Sequence, residues 1–493
     1  MTLTSVACWS DRRVRWSVLV AAVLLLAYVE LLWIDAFPFG HHHTGDTNNL
    51  VAGARSALDC IDQGVWRHCG HVPGNPGSGV FPYALLQYLP AMFAVWLGAS
   101  DAAVLGFLAR ISVLAFAGCL GLIAWTLRAH ARLAALGVLA VLGSAITYQA
   151  TSGFGEMLAA AVVVAAVASV RSRRPVLMAM AFLVACTAKE TIAPFVLLFG
   201  LLAARPSGSW LPERRVRYAI LVGCVAGILL NIGFNQFRFG SFRNLNYTQS
   251  FMQTPGIRLK VEILFGEWFS PVVGLFWIWP VASFLVTAVL VIGLIRLAIN
   301  RRDIQSWLPP LLAGGVLVGF TVGLTAWYAP FGWTAYGHRL AVPAIPAAVL
   351  VILLVAPEPF NLFFARIGGK FGLAFAVISV LVAVSLPQTF AAWTWRQALA
   401  ETSAESTDCS GPIYIDKTPD LYFDCLLDTI WTPGLEVRRA AYGGDEVPNS
   451  ARVLSGATLL ALALVVVQPP WSTARRSEEE DFPASRLTAN DTD

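Results

Sequence analysis

Residues 16–33, which read WSVLVAAVLLLAYVELLW, decide the fold of this chain. The run is almost entirely apolar and follows a short basic tail that contains Arg12, Arg13 and Arg15. About 20 such residues in a helix are long enough to cross the roughly 30 Å hydrocarbon core of a bilayer. No A-x-A-like cleavage site follows, so we expect a retained membrane helix rather than a signal peptide.

Similar apolar runs recur along the 493 residues, which are 57% hydrophobic and 13% charged, with a mean hydropathy of +0.65. No soluble globular domain of this length approaches these values. They predict an all-α polytopic membrane protein with about 12 transmembrane helices. The expected spans are 16–33, 103–127, 133–150, 157–170, 176–188, 191–204, 218–234, 273–295, 308–328, 341–356, 371–391 and 453–468. The net charge of +4 is too small to suggest a nucleic-acid partner.

The apolar segment 80–98 decides the topology, because it contains Pro82, Gln87 and Pro90. If this segment lies in the outer interface, the short Arg-rich connections between spans all face the cytoplasm, as the positive-inside rule favours. The prolines also suit a broken or surface-lying helix better than a spanning one. We therefore expect both termini inside and the loop 36–101, with its juxtamembrane helices, outside.

That loop begins with a dense polar stretch, His41-His-His-Thr-Gly-Asp46-Thr-Asn-Asn49. Polar groups so close to a bilayer indicate a ligand site, a metal site or contact with bulk water. His41 and His43, with the carboxylate, could hold a divalent metal ion, although a run of histidines is weak evidence for one. Asp46 could also serve only as a helix N-cap.

The same topology brings other polar groups to the outer face, among them Glu156 and the pair Lys189–Glu190. Lys189 and Glu190 separate two spans that are too short to cross fully, which indicates a protein-lined cavity open to the outside. Lys189 could instead pair only with Glu190 or extend to the interface. Arg339 could merely anchor a helix end, and the aromatic residues 327–336 could form an interfacial belt. Their density favours a surface for a sugar or a lipid headgroup.

Four cysteines fall in the outer loops: Cys60 and Cys69 in the first, Cys409 and Cys425 in the last. Their placement predicts two disulfides at an oxidising face, the alternative being four free thiols.

The sequence predicts a transmembrane catalytic module at 1–360, a further transmembrane helix at 361–392 and a small outer lobe at 393–452. The last transmembrane helix occupies 453–470, and 471–493 is expected to be a disordered cytoplasmic tail.

The order of these features resembles the GT-C superfamily of integral-membrane glycosyltransferases, which includes protein O-mannosyltransferase-like and aminoarabinose-transferase-like enzymes. The resemblance covers residues 15–360 and starts with Gly45-Asp46 heading a polar helix, a Pro-bearing interfacial helix, and Glu156 at the start of the fourth helix. Three further segments fit it: Asn235-Gln-Phe-Arg-Phe-Gly-Ser241 with Tyr247, Leu264-Phe-Gly-Glu-Trp-Phe-Ser-Pro271, and Gly332-Trp333 with Tyr336-Gly-His-Arg339. The chain departs from many relatives in having Thr47 after Asp46 instead of Glu, and Phe81-Pro82-Tyr83 instead of consecutive prolines.

The resemblance implies an enzyme of the plasma (inner) membrane that moves a sugar from a polyprenyl-phosphate carrier to a hydroxyl at the extracytoplasmic face. Asp46 is the expected base, and Glu156 could share the acceptor or hold a metal. The residues expected to bind the donor phosphate are Lys189, Arg339, Arg238 and Arg243. The residues expected to contact substrate are His338, Tyr336, Trp333, Tyr247 and Asn49.

The acceptor could be a cell-envelope glycan, a glycolipid or a protein. The Ala-, Val- and Arg-rich composition is typical of a high-GC bacterium, and an actinobacterial-type enzyme would use arabinose or mannose on decaprenyl phosphate. Two other functions stay open: a transporter or flippase of lipid-linked substrates, and a non-catalytic scaffold of the same fold. We see no repeated halves of the kind that transporters often show, and the charges gather at one face.

Overall fold

The computed structural model describes residues 12–34, 45–69, 84–144, 146–151, 153, 155–205, 212–243, 256–270, 274–299, 304–326, 339–357 and 449–467. Within these ranges every regular element is helical, and no strand occurs. The all-α prediction is therefore confirmed for this part of the chain. The outer lobe expected at 393–452 lies almost wholly outside the described residues, as do the span at 371–391 and the tail at 471–493.

Sixteen α-helices are described. In chain order they are α1 (Arg12–Ile34), α2 (Gly45–Asp62), α3 (Leu85–Trp96), α4 (Asp101–Thr126), α5 (Ala131–Leu142), α6 (Ile146–Thr151), α7 (Glu156–Ser169), α8 (Pro175–Ala188), α9 (Ala193–Ala203), α10 (Arg214–Phe239), α11 (Ile257–Phe269), α12 (Leu275–Ile278), α13 (Pro280–Ile299), α14 (Ile304–Leu324), α15 (Ile345–Val355) and α16 (Asn449–Val467). Short 3₁₀ turns cover Val170–Ser172, Glu190–Ile192 and Arg339–Ala341.

Five helices are long and apolar enough to cross a membrane: Arg15–Ile34, Asp101–Thr126, Arg214–Phe239, Pro280–Ile299 and Trp307–Leu324. Shorter apolar helices include Ala131–Leu142, Pro175–Ala188, Glu190–Ala203, Ile345–Val355 and Val453–Val466. The protein is a multi-pass membrane protein, and its large exposed residues on these helices suit contact with lipid.

Helices begin and end at residues whose chemistry fits the position. Ser100 accepts a hydrogen bond from the Ala103 amide at 3.4 Å and caps α4. Pro175 opens α8, where the missing N–H costs nothing. Gly240 follows α10 with φ +66°, the left-handed conformation that ends helices and favours glycine.

The tightest packing joins α10 to α8. A Cβ at Gly223 would overlap the carbonyl oxygen of Ala179, and one at Gly227 would approach the carbonyl oxygen of Leu183 at 2.5 Å. Only glycine lets two backbones approach so closely, and small residues of this kind are typical of membrane helix interfaces. This contact fixes the C-terminal end of α10 beside the C-terminal end of α8, where the polar residues lie.

The structure differs from the predicted spans in three places. The expected helix at 273–295 is divided at Trp279 into α12 and α13. The expected helix at 133–150 is divided into α5 and α6, because the chain leaves the helix at Gly143. The expected helix at 218–234 runs on to Phe239, so Asn235 and Arg238 lie on α10 rather than in a loop. Helix α3 has 12 residues, about 18 Å at 1.5 Å per residue, which is short for a spanning helix. The topology itself stays a prediction.

Candidate functional site

Glu156 is the first residue of α7, and its side chain is only 3% exposed. The preceding residue, Gly155, has φ +79°, a conformation that lets the chain turn sharply into the helix. The position at the N-terminus of a helix favours a negative charge, because the backbone N–H groups and the helix dipole point toward it. The local sequence Gly155-Glu156 therefore presents a buried carboxylate at one end of the helical bundle.

Two cations from distant parts of the chain contact this carboxylate. Lys189 Nζ lies 3.4 Å from Glu156 Oε1, and Arg339 Nε lies 3.9 Å from the same oxygen. Lys189 follows the last residue of α8, and Arg339 opens the 3₁₀ turn before α15. Their side chains are 11% and 6% exposed, so the interaction is largely shielded from water.

A second ion pair lies next to the first, because one of its residues directly follows Lys189 in the chain. Glu190, the neighbour of Lys189, accepts a hydrogen bond from Arg238 Nη2 at 2.6 Å. Arg238 also donates from Nε to Asn235 Oδ1 at 3.0 Å, and its side chain is 1% exposed. The guanidinium lies 4.4 Å from the ring centre of Phe239, a distance at which cation–π attraction contributes.

These two connected pairs give the site its electrostatic character. Lys189, Arg238 and Arg339 face the carboxylates of Glu156 and Glu190, so three cations meet two anions. Counted over these five side chains alone, there is one more positive than negative charge. Buried cations of this kind form charge-assisted hydrogen bonds with an anionic ligand. The arrangement can therefore bind a phosphate or a carboxylate.

The polar stretch at the start of α2 packs against the loop that carries Glu156. Thr47 is 1% exposed, and a Cβ at Gly153 would lie 3.1 Å from Thr47 Cγ2. Gly153 lies three residues before Glu156, and Asp46 lies directly before Thr47. The backbone of Asp46 is thus brought to the same end of the bundle as Glu156, while its side chain lies outside the described part of the structure. Asn49 is half-buried on the next turn of α2.

The other end of α2 leads into a loop that packs on α10. Cys60 and Cys69 form a disulfide with a Cα–Cα distance of 5.7 Å, which confirms the predicted pair. The Cys69 amide donates to the carbonyl of Phe237 at 3.2 Å, and the imidazole of His68 fills the space beside Gly240 that a Cβ would occupy. These contacts hold the residues that flank Arg238. The second predicted pair, Cys409–Cys425, lies outside the described residues.

A further buried acid lies on α11, which is not among the candidate membrane spans. Glu267 is fully buried, and burial raises the pKa of its carboxyl well above its ordinary range. The next residue, Trp268, donates from its indole to Thr321 Oγ1 at 3.1 Å and so joins α11 to α14. Within this segment Glu267 and Trp268 are buried, whereas Phe265 and Phe269 are exposed.

The structure brings together four predicted site residues: Glu156, Lys189 and Arg339 directly, and Arg238 through Glu190. Arg243 lies apart, since it is exposed in the turn after α10, where its amide donates to Ser241 Oγ. Predicted residues that lie outside the described ranges are His41, His43, Tyr247, Trp333, Tyr336 and His338. Across the described ranges no group of three or more His, Cys, Asp or Glu side chains could hold a metal ion.

The sequence does not predict how the charged residues of this region pair. One alternative that it offers joins Lys189 to Glu190, but the structure pairs Lys189 with Glu156 and Glu190 with Arg238. Asn235 orients Arg238, and its position three residues earlier on a helix was the available signal.

Two crystal structures of ArnT from Cupriavidus metallidurans are similar to this chain. The apo structure aligns with a TM-score of 0.45 and 18% identity, over 93% of this chain and 78% of that chain. The structure bound to undecaprenyl phosphate aligns with a TM-score of 0.42 and 17% identity, over 95% and 81%. No protein-family model matches the chain, and no curated protein matches it significantly. Because the TM-scores and identities are low, these similarities assign no function to it.

Proposed function

We propose that this protein is a GT-C-type membrane glycosyltransferase that transfers a sugar from a polyprenyl-phosphate donor to a hydroxyl of a glycan, glycolipid or protein. The observation that carries the proposal is the buried group of Glu156, Lys189 and Arg339 at one end of a membrane helical bundle. A soluble phosphate would not need a bundle of lipid-facing helices around its site, whereas a lipid-linked phosphate enters from the bilayer.

We assign the binding of the donor phosphate to Lys189 and Arg339. Arg238 adds a third positive charge through its ion pair with Glu190. During transfer the bond between the anomeric carbon and the phosphate oxygen breaks, and the electron pair stays on the phosphate. Cations held in place before the reaction stabilise this developing charge without rearranging. Arg339 offers the planar fork of donors that suits phosphate oxygens, and Lys189 adds a point charge.

The acceptor hydroxyl must lose a proton as its oxygen bonds to the anomeric carbon. Asp46 is assigned as the base that takes this proton. The packing of Thr47 on Gly153 supports this assignment, since it brings the backbone of Asp46 beside the loop that leads to Glu156. Glu156 is assigned to hold the two cations and to share the acceptor. The site is proposed to face the outside of the plasma membrane.

The test measures donor binding and sugar transfer side by side on purified variants in lipid nanodiscs. Asp46→Asn keeps the shape of the side chain but removes the proton acceptor. Decaprenyl phosphate should therefore bind as in the wild type, while transfer from decaprenyl-phosphate-linked arabinose or mannose falls about 10²–10⁴-fold. Arg339→Ala should weaken donor binding and slow transfer. Arg339→Lys should restore binding and transfer only in part, because an ammonium cannot reproduce the planar set of donors of a guanidinium.

Matched controls come from exposed residues of the same types. Asp62 is exposed at the last position of α2, so Asp62→Asn should leave transfer unchanged. Arg258 is 88% exposed, so Arg258→Ala should leave donor binding unchanged. Full transfer activity in Asp46→Asn would remove the base assignment. Unaltered binding of decaprenyl phosphate in Arg339→Ala and Lys189→Ala would remove the phosphate site.

A further inference from the structure

Gln87 lies in the first turn of α3 and is 3% exposed. Its Oε1 accepts a hydrogen bond from the Ala84 amide at 3.3 Å. This contact fixes the orientation of the side-chain amide, because turning it over would place two donors against each other. Nε2 is then left as a buried donor with no hydrogen-bond partner in the described part of the chain.

Glu156 presents the complementary atom. Its Oε1 faces Lys189 and Arg339, whereas its Oε2 is buried and has no hydrogen-bond partner among the residues the structure describes. Leaving a buried polar atom unsatisfied costs about 1–3 kcal/mol, and more when the group is charged. Native proteins keep few such atoms, so each of the two requires an explanation.

Gly155 links the two residues. A Cβ at Gly155 would lie 3.0 Å from Gln87 Cγ and 3.2 Å from Gln87 Nε2, and Gly155 directly precedes Glu156. The start of α3 is held there by Asn231, which accepts from the Leu85 amide at 3.5 Å and donates to the Cys186 carbonyl at 2.7 Å. Gly155 therefore packs against the side chain of Gln87, while Asn231 holds the start of the helix that carries it.

We propose that Gln87 Nε2 and Glu156 Oε2 together form a subsite for a sugar hydroxyl. A hydroxyl both accepts and donates a hydrogen bond, so the hydroxyls of a sugar can satisfy both the Gln87 donor and the Glu156 acceptor. A phosphate can only accept and is repelled by the carboxylate, and a prenyl chain can do neither. The subsite therefore selects the sugar, while the neighbouring cations select the phosphate. This inference rests on the proposed function and adds a residue to it.

The hydroxyl can come from the sugar of the donor or from the acceptor, and three probes separate these sources. They are decaprenyl phosphate without a sugar, decaprenyl-phosphate-linked arabinose or mannose, and the acceptor varied at saturating donor. Gln87→Leu removes the donor atom. Gln87→Glu also removes it but keeps the oxygen that caps Ala84, so it separates ligand binding from support of α3. Gln63→Leu, the same change at an exposed glutamine after α2, is the matched control.

Both Gln87 variants should bind decaprenyl phosphate as the wild type does. If the donor sugar occupies the subsite, binding of the sugar-carrying lipid weakens about 3- to 10-fold, the usual effect of one lost hydrogen bond. If the acceptor occupies it, the KM for the acceptor rises by that factor while donor binding stays unchanged. Gln63→Leu should match the wild type in every measurement.

Wild-type values for both substrates in Gln87→Leu and Gln87→Glu would overturn the subsite, even though transfer by the wild type would still support the enzyme. Equal weakening of decaprenyl phosphate and of the sugar-carrying lipid would also overturn it, because Gln87 would then act only on the shape of the site. If the wild-type protein binds no polyprenyl phosphate, both the proposed function and this inference are wrong.

Discussion

Replacing Glu156 by Gln tests the charged group at the centre of the site. The substitution keeps the shape of the side chain but removes the charge shared by Lys189 and Arg339. Breaking a buried ion pair costs about 3–5 kcal/mol, because the remaining buried charge loses its counter-ion. The N···O distances of 3.4 and 3.9 Å exceed the 2.7–2.9 Å of a strong charged hydrogen bond, which favours the lower end of that range. We expect a loss of about 3 kcal/mol, roughly 100-fold in the ratio of folded to unfolded protein.

The same substitution should improve the response to a lipid phosphate. In the wild type the carboxylate competes with the phosphate for both cations, and in Glu156→Gln it no longer does. A ligand at 100 times its Kd stabilises a protein by about 2.7 kcal/mol, and each further tenfold gain in affinity adds about 1.4 kcal/mol. Decaprenyl phosphate should therefore raise the unfolding temperature of Glu156→Gln by more than it raises that of the wild type.

The assay is thermal unfolding of the purified protein with and without decaprenyl phosphate. Glu262→Gln is the control, because Glu262 is 39% exposed and pairs with the neighbouring helical residue Arg258 at 2.8 Å. Such a pair contributes about 0.3–0.5 kcal/mol, so this variant should behave like the wild type. The reasoning is wrong if Glu156→Gln is as stable as Glu262→Gln, or if the two respond equally to the lipid.

Three further predictions concern the surroundings of the site. Cys60→Ser should lower stability by about 2–3 kcal/mol in thermal unfolding, and mass spectrometry without reductant should find the Cys60 and Cys69 peptides linked in the wild type. Because the pKa of Glu267 is raised, the folded chain holds the carboxyl proton more tightly than the unfolded chain. The contribution of this proton to the free energy of unfolding is complete below about pH 4. It falls as pH rises, by up to about 1.4 kcal/mol per pH unit. Subtracting the Glu267→Gln unfolding profile should isolate that fall, and parallel profiles from pH 5 to 8 would contradict it. A membrane-impermeant thiol reagent should label a cysteine introduced in the segment 207–213 only after the membrane is opened. Labelling of this cysteine in intact cells would contradict the predicted topology.

Hydropathy was enough to predict the class of fold and most helix positions, because burial in lipid requires long apolar runs. It failed at the ends of helices, where polar residues continue a helix that the apolar pattern no longer marks. Asn235 and Arg238 illustrate this failure, since they complete α10 although the apolar run stops earlier. The loop of the Cys60–Cys69 disulfide contacts that end, where the Cys69 amide bonds to the Phe237 carbonyl.

The partners of the charged residues could not be predicted for a different reason. Lys189 has an extended backbone, with φ −160° and ψ 127°. Successive side chains of an extended segment point to opposite sides, so Lys189 and Glu190 are directed away from each other and toward different helices. The sequence shows a lysine beside a glutamate, whereas the backbone conformation decides that each pairs with a distant residue.

Helix α2 connects the two parts of the site, and this follows from its length and its two ends. Its 18 residues extend about 27 Å at 1.5 Å per residue. At the first end Thr47 packs on Gly153, next to the start of α7, and past the other end Cys69 bonds to Phe237, next to Arg238. The disulfide fixes the loop that makes the second contact, because it ties Cys69 back to the last turn of α2. Helix α2 and the loop after it therefore supply more than the proposed base, because they contact both the loop before Glu156 and the end of α10 that carries Arg238.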